Sequence, residues 1–154
     1  MDLVREPETG LVDPLAAMLG YQLRRTSVAV MNALAGELEP LGIRPGEASL
    51  LMFIAANPGC TQSDVSRALR AQPANMVPLV NKLMQGGSIG REQGKGRAIA
   101  LTLTPQGQQL FDEVRAVFAR HEARIARNLP EGVREMLIPA LLQICKDACC
   151  SDTD

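Results

Sequence analysis

The chain has 154 residues, of which 46% are hydrophobic and 21% charged, and its formal net charge is −1. This length and composition fit about one domain with its own core, which excludes disorder of the whole chain. The 3% aromatic content excludes a surface that stacks successive bases of single-stranded nucleic acid. The polar, acidic start differs from a secretory signal, and the longest apolar run, 50–56, is too short to span a membrane. We therefore expect a cytoplasmic protein.

Charges are distributed unevenly along the chain. Residues 60–100 contain six basic side chains against two acidic ones, whereas both ends of the chain are acidic. A cationic central segment indicates a localised surface that binds anions. The four cysteines include no CxxC pair and there is one histidine, which excludes a zinc finger. We expect neither a metal nor a cofactor.

The first half of the chain predicts three helices. Asp13-Pro14 has the residue types of a helix start, and apolar residues at helical spacing continue to position 38. A short, nearly all-apolar helix follows over 45–57. The Thr61-Gln62-Ser63-Asp64 sequence is a capping box, in which the first and last residues exchange hydrogen bonds, and it predicts a helix to about residue 69.

The second half begins with a helix over 72–85 that has a proline at its first position and an apolar stripe. The spacing of the apolar residues then changes from helical to every second position, which predicts an antiparallel hairpin over 88–103. A cap threonine and a proline open a long helix over 104–128. A last helix over 130–149 contains Pro139, where we expect a kink or a break.

This order of elements predicts a winged helix-turn-helix. A short capped helix, a turn and a second helix form the helix-turn-helix, and the hairpin with its Gly-Lys-Gly-Arg tip forms the wing. One helix fits the major groove of DNA and reads base edges, while helix N-termini and basic side chains bind phosphates. The expected fold class is mainly α with a small antiparallel β-hairpin wing.

Four stretches of the chain carry a family resemblance. They are LGI at 41–43 with Pro45 and the leucine pair at 50–51, NPGCTQSDV at 57–65, LVNKL at 79–83 before a glycine, and LTLTPQG at 101–107. In this order and spacing they resemble the MarR family of bacterial winged-helix transcription regulators, from about residue 20 to residue 128.

The resemblance implies a DNA-binding repressor that acts as a homodimer on a pseudo-palindromic operator and is released by a small effector, such as an aromatic carboxylate. It divides the chain into an acidic tail at 1–12, a helical dimerisation region at 13–40 and 105–150, and a DNA-binding domain at 41–104. The implied partners are double-stranded DNA, a second copy of the chain and a small molecule, with no membrane.

The chain departs from the family pattern at the wing. The wing is short, and Lys95 stands where the family often has an aspartate that orients the wing arginine, here Arg97. Ser88 stands where a large apolar residue is usual, so we expect loose packing under the wing.

Candidate DNA contacts combine cations for phosphates with amides for bases, since Asn and Gln can form two hydrogen bonds with adenine. A solvated surface or a capping role explains the same residue types, but the winged-helix order favours DNA contact. The predicted DNA-binding residues are Thr61, Gln62, Arg70, Gln72, Ala74, Asn75, Asn81, Lys82, Arg91, Lys95 and Arg97.

Tyr21 and Arg25 lie four residues apart on the first helix, where a ring and a guanidinium together suit an acidic aromatic ligand. With Val28 and Met52 they form the predicted effector site, at the crease between the two regions. Surface charge or an ion pair across a dimer is the somewhat more common explanation for such an arginine.

The cysteines leave an alternative open. Cys145, Cys149 and Cys150 are small apolar filler near the chain end or an oxidant sensor that forms a disulfide or a sulfenic acid. Cys60 precedes a helix N-terminus, which can lower the pKa of a thiol.

We expect no enzyme activity. The chain shows no paired carboxylates, no serine triad and no base beside a cysteine, and the lone His121 is more typical of a packed or surface residue. A winged helix that binds protein rather than DNA remains a further alternative.

Overall fold

The structure is a computed structural model that describes residues 4–5, 11–93 and 99–150, with side chains for 11–92 and 99–147. Its backbone divides into two units, 1–115 and 116–154. The elements, in chain order, are β1 (Val4–Arg5), β2 (Val12–Asp13), α1 (Leu19–Leu38), a 3-10 turn (Glu39–Leu41), α2 (Pro45–Ala56), β3 (Cys60–Thr61), α3 (Gln62–Ala68), α4 (Pro73–Gln85), β4 (Ile89–Gln93), β5 (Ile99–Leu103), α5 (Pro105–Arg127) and α6 (Val133–Cys150).

The first helix begins later than the sequence predicts, so the predicted start at Asp13 is wrong. Asp13 belongs to β2, where it pairs with Val4 of β1, and its Oδ1 accepts a hydrogen bond of 2.8 Å from the backbone of Leu15. The aspartate thus caps an isolated turn, and α1 begins at Leu19. Asp-Pro favours a turn as well as a helix start, and the sequence signal does not distinguish the two.

The predicted hairpin is confirmed, and it belongs to a three-stranded sheet. β4 and β5 are antiparallel, with Ile89 opposite Leu103. β3 adds to the other edge of β5, with Cys60 opposite Leu101, so the strand order is β3-β5-β4. Sequence analysis missed β3 because two residues are too few to show an alternating pattern.

The core of the first unit lies between α2, α4 and the sheet, because α2 is apolar on almost every face. Its fully buried large side chains are Leu38, Leu50, Leu51, Ile54, Met76, Leu101, Val65, Val80 and Val114. One face of α2 is buried in this core, while Met52 and Phe53 on its other side are half-buried.

The backbone at Ser88 packs closely against the start of α5, whereas the expectation of loose packing around the Ser88 side chain stays a prediction. Ser88 is buried, and its carbonyl oxygen accepts a 3.1 Å hydrogen bond from the backbone of Thr104. A Cβ atom placed on Gly107 would lie 1.7 Å from that same oxygen. The Ser88 backbone therefore leaves no room for a side chain at position 107.

The last two helices follow the sequence prediction closely. The Thr104 hydroxyl caps α5 by accepting a 2.9 Å hydrogen bond from the backbone of Gly107. α6 continues through Pro139, so the break considered there is absent. In the described part of the chain, no helix is both long and apolar enough to cross a lipid bilayer.

Gly107→Ala should lower the free energy of unfolding by about 1–3 kcal/mol, because the new methyl group overlaps the Ser88 carbonyl. Gly36→Ala is the control, since nothing lies within 4 Å of a Cβ there and the residue is inside α1. That change should raise stability by about 0.5–1 kcal/mol. Urea unfolding of both variants measures the difference, and a Gly107→Ala variant as stable as the parent chain would contradict the close contact.

Candidate nucleic-acid interface

The capping box at the start of α3 is confirmed. Thr61 Oγ1 accepts a 3.2 Å hydrogen bond from the backbone of Asp64, and Asp64 Oδ2 accepts a 3.0 Å hydrogen bond from the backbone of Thr61. The hydrogen bonds from Thr61, assisted by the charge of Arg67, lower the pKa of the Asp64 carboxyl. The two hydrogen bonds fix the residue at which the first helix of the pair begins, beside Gln62.

The turn between α3 and α4 is closed by two hydrogen bonds between the same residues. Ser66 Oγ donates to the Ala71 carbonyl oxygen at 2.7 Å, and the Ala71 backbone donates to the Ser66 carbonyl oxygen at 3.0 Å. Arg70 lies in this turn with a φ of 48°, in the left-handed region. That conformation costs a non-glycine residue about 1–2 kcal/mol. The turn thus holds an exposed arginine in a strained backbone conformation at the entrance to α4.

A cleft of about 540 Å³ separates α3 from the start of α4. Its lining residues are Gln62, Ser63, Ser66, Arg67, Arg70, Ala71 and Pro73. Gln62 and Arg70 were among the predicted DNA contacts, and Arg67 is one of the six basic residues of the cationic central segment, for which phosphate or groove contact was favoured, whereas Ser63 was missed. Ser63 lies four residues before Arg67 on α3, and this spacing is the signal that would have found it. The two arginines give this cleft a positive rim that suits a phosphate.

The second helix of the pair, α4, has one buried face and one exposed face. Met76, Val80 and Leu83 are buried, as the apolar stripe predicts. The predicted contact residues at its N-terminal half, Gln72, Ala74 and Asn75, are exposed, and so is Asn81. The structure therefore brings these four residues to the solvent side of one helix.

Lys82 is engaged within the protein. Its Nζ lies 2.8 Å from Oε1 of Glu47, whose side chain is only 5% exposed. The other carboxylate oxygen of Glu47 accepts a 3.0 Å hydrogen bond from the backbone of Arg44 at the start of α2. This ion pair joins the C-terminal half of α4 to α2, a role that sequence analysis did not find because the partners are 35 positions apart.

The described part of the wing contains one predicted contact. Arg91 is exposed on β4, and beside it Thr102 Oγ1 on β5 donates to Glu92 Oε1 at 3.3 Å. Lys95 and Arg97, both predicted DNA contacts, lie outside the described residues.

The predicted effector residues all lie in the unit 1–115. Tyr21 is half-buried on α1, whereas Val28 on the same helix is exposed. Arg25 lies 3.7 Å from the Asp13 carboxylate, measured from Nη1 to Oδ2. Met52 is half-buried on α2. An acidic ligand at Arg25 would compete with an existing carboxylate partner.

The cysteines differ in environment. Burial raises the pKa of the Cys60 thiol and the nearby Asp64 charge raises it further, so the expectation that the helix N-terminus lowers it is wrong. Cys145 is exposed on α6, and the side chains of Cys149 and Cys150 lie outside those described. His121 is buried, with Nδ1 3.0 Å from Arg124 Nη2. Within the described ranges, no cluster of three or more His, Cys, Asp or Glu side chains is placed to hold a metal ion.

Comparison with known sequences decides the family. The MarR family profile matches residues 41–98. The transcriptional regulator BilQ of Clostridium symbiosum is 32% identical over 113 residues, which cover 71% of this chain and 78% of BilQ. The chain belongs to the MarR family. The expectation of a winged-helix transcription regulator is confirmed.

Solved structures of MarR-type regulators have the same fold. The repressor CouR bound to a 23-mer DNA duplex is 28% identical, covers 85% of this chain and 94% of its own, and superposes with a TM-score of 0.79. CouR from Rhodococcus jostii bound to p-coumaroyl-CoA has 25% identity, coverage of 86% and 94%, and a TM-score of 0.74. The MarR family protein Rv2887 of Mycobacterium tuberculosis, in complex with p-aminosalicylic acid, has 26% identity, coverage of 83% and 98%, and a TM-score of 0.66.

The Glu47–Lys82 pair of this MarR protein should be strongly coupled. A double-mutant cycle with Glu47→Gln and Lys82→Met should give a coupling energy of about 1–3 kcal/mol, because Glu47 is buried and the Lys82→Met change removes its only ion-pair partner among the described residues. Asp112 and Arg115 form the control, an exposed pair at 3.8 Å on α5. Its coupling energy should stay below about 0.5 kcal/mol. Equal coupling energies from urea unfolding would contradict a special role for Glu47.

Proposed function

We propose that this chain is a homodimeric repressor that binds a pseudo-palindromic operator and is released by a small aromatic acid. The observation that carries the DNA-binding part is the geometry of α4, which buries Met76, Val80 and Leu83 and exposes Asn75 and Asn81. A helix exposed in this way can enter the major groove, and the arginines of the α3–α4 cleft are placed for the flanking phosphates. A regulatory rather than enzymatic role agrees with the description of the relatives as transcription regulators.

Exposed apolar side chains support the dimer. On α6 they are Met136, Leu137, Ile138, Leu141, Leu142 and Ile144, each 38–69% exposed. A helix with so much apolar surface in water favours a partner of the same kind. The region proposed to pair is 13–40 with 105–150, and two DNA-binding domains at 41–104 would then match two half-sites.

DNA binding is tested with purified protein and the duplex immediately upstream of its own gene. Arg97→Ala should weaken binding to specific and random duplexes alike. It should also lower the slope of log affinity against log salt concentration by about one unit, because the variant lacks one cation that displaces a counterion from a DNA phosphate. Arg115→Ala, with its side chain 66% exposed on α5, is the control and should leave the slope unchanged.

Sedimentation of the same samples should give two chains per specific duplex. A folded parent chain that binds neither duplex would overturn the proposed function. A monomer at micromolar concentration would overturn the dimer alone, since a single winged helix still binds a half-site.

The effector proposal is supported by ligands of the relatives and by residue chemistry. Rv2887 was solved with p-aminosalicylic acid and CouR with p-coumaroyl-CoA, and both ligands contain an aromatic ring. In this chain, Tyr21 and Arg25 on α1 offer a ring and a planar fork for a carboxylate, and the proposed site adds Val28 of the same helix and Met52 of α2. An effector that weakens DNA binding tenfold must prefer the DNA-free form by about 1.4 kcal/mol.

Arg25→Ala should keep DNA affinity but lose release by aromatic carboxylates, with p-aminosalicylate as the first probe. Arg24→Ala is the matched control, because it removes the same charge from the neighbouring position of α1. Fluorescence anisotropy of labelled operator measures release. An unchanged response in Arg25→Ala would put the effector site elsewhere. Release by peroxide that Cys145→Ser abolishes would favour the thiol-based alternative.

A further inference from the structure

One stripe on the exposed side of α4 is mostly apolar. Ala74, Val77, Pro78 and Asn81 follow the i, i+3, i+4, i+7 spacing of one helical stripe, and all four are exposed. Val77 is the largest apolar side chain of the stripe, and it is 44% exposed. Three of the four side chains can neither donate nor accept a hydrogen bond.

The same helix is poorly equipped to read guanine. The commonest contact to guanine is a bidentate Arg or Lys in the major groove. α4 contains no arginine, and its one lysine, Lys82, is held 2.8 Å from the carboxylate of Glu47. No acidic residue occurs in α4 to accept from the amino group of cytosine. The stripe can therefore contact base edges through apolar, van der Waals contacts but not through charged groups.

One group in the major groove matches an apolar stripe. The C5 methyl of thymine is the apolar mark by which a protein distinguishes an A·T pair there, and small aliphatic side chains contact it. Val77 carries two methyl groups on a stiff, β-branched side chain, so it loses little rotamer freedom on contact. Asn75 lies beside the stripe and can bind the adenine of a neighbouring pair.

We propose that Val77, flanked by Ala74 and Pro78, selects thymine at a fixed position in each operator half-site by contact with the C5 methyl. This inference rests on the proposed DNA binding and adds the base that the helix prefers. Val77 thereby determines sequence specificity, whereas the arginines of the α3–α4 cleft contribute affinity that is independent of sequence.

The test uses deoxyuridine, which differs from thymidine only by the missing C5 methyl. The full chain first selects its tightest duplex from a pool of random sequences. Each thymine of one half-site is then replaced in turn by deoxyuridine, and the affinity is measured. At the position that Val77 contacts, the loss should be about fourfold, which corresponds to about 0.8 kcal/mol for one methyl removed from water.

Two variants separate the contact from a general loss of affinity. Val77→Ala should bring the thymidine-to-deoxyuridine affinity ratio at that position close to one, with random-duplex affinity and thermal stability unchanged. Asn75→Ala is the matched control on the same helix, and it should weaken specific binding while the ratio stays at about fourfold.

The outcomes distinguish this inference from the function on which it rests. Equal affinity for thymidine and deoxyuridine at every position would overturn it while DNA binding stands. A ratio that survives Val77→Ala would assign the methyl contact to another residue and overturn it as well. If no duplex is enriched, the proposed function fails and this inference fails with it. Capture of the apolar stripe by a protein partner would then be the remaining use of this face.

Discussion

The buried carboxylate of Glu47 ties α4 to the start of α2. Glu47 is almost fully withdrawn from water, yet it receives the Arg44 backbone on one oxygen and the Lys82 ammonium near the other. A buried carboxylate left unpaired would be costly, so its two partners are constrained together. One of them begins α2 and the other lies near the end of α4. The ion pair therefore ties the C-terminal half of α4 to α2, and its lysine belongs to the cationic central segment.

The opposite end of α4 is held by different forces. Ser66 and Ala71 close the turn with two hydrogen bonds, and the apolar face of Met76, Val80 and Leu83 sets the rotation of the helix. Polar contacts thus fix both ends of α4, while the burial of its apolar face determines which of its side chains face solvent. Because rotation and end positions have separate causes, changes on the exposed stripe should leave the support of α4 undisturbed.

Local signals predicted most of the fold, and distant pairings account for the failures. The Thr61–Asp64 capping box and the alternation in β5 were readable because each involves residues within a few positions. The Asp13 signal gave a wrong helix start because an aspartate caps a turn and a helix N-terminus with the same kind of hydrogen bond. The β3 strand, the Glu47–Lys82 pair and the Ser88–Gly107 contact depend on partners 19 or more positions away, which a single sequence does not pair. The exposure of Val77 likewise required the fold.

Thr61 belongs to two structures at once, and this has a mechanical consequence. Its backbone pairs with Ala100 of the wing sheet, while its hydroxyl caps α3. A displacement of the wing strands is therefore transmitted to the start of α3 through the β3–β5 pairing, of which Thr61 is the last residue. A shared residue of this kind limits how far either element can move without the other, so bending of the wing base and tilting of α3 are expected to occur together.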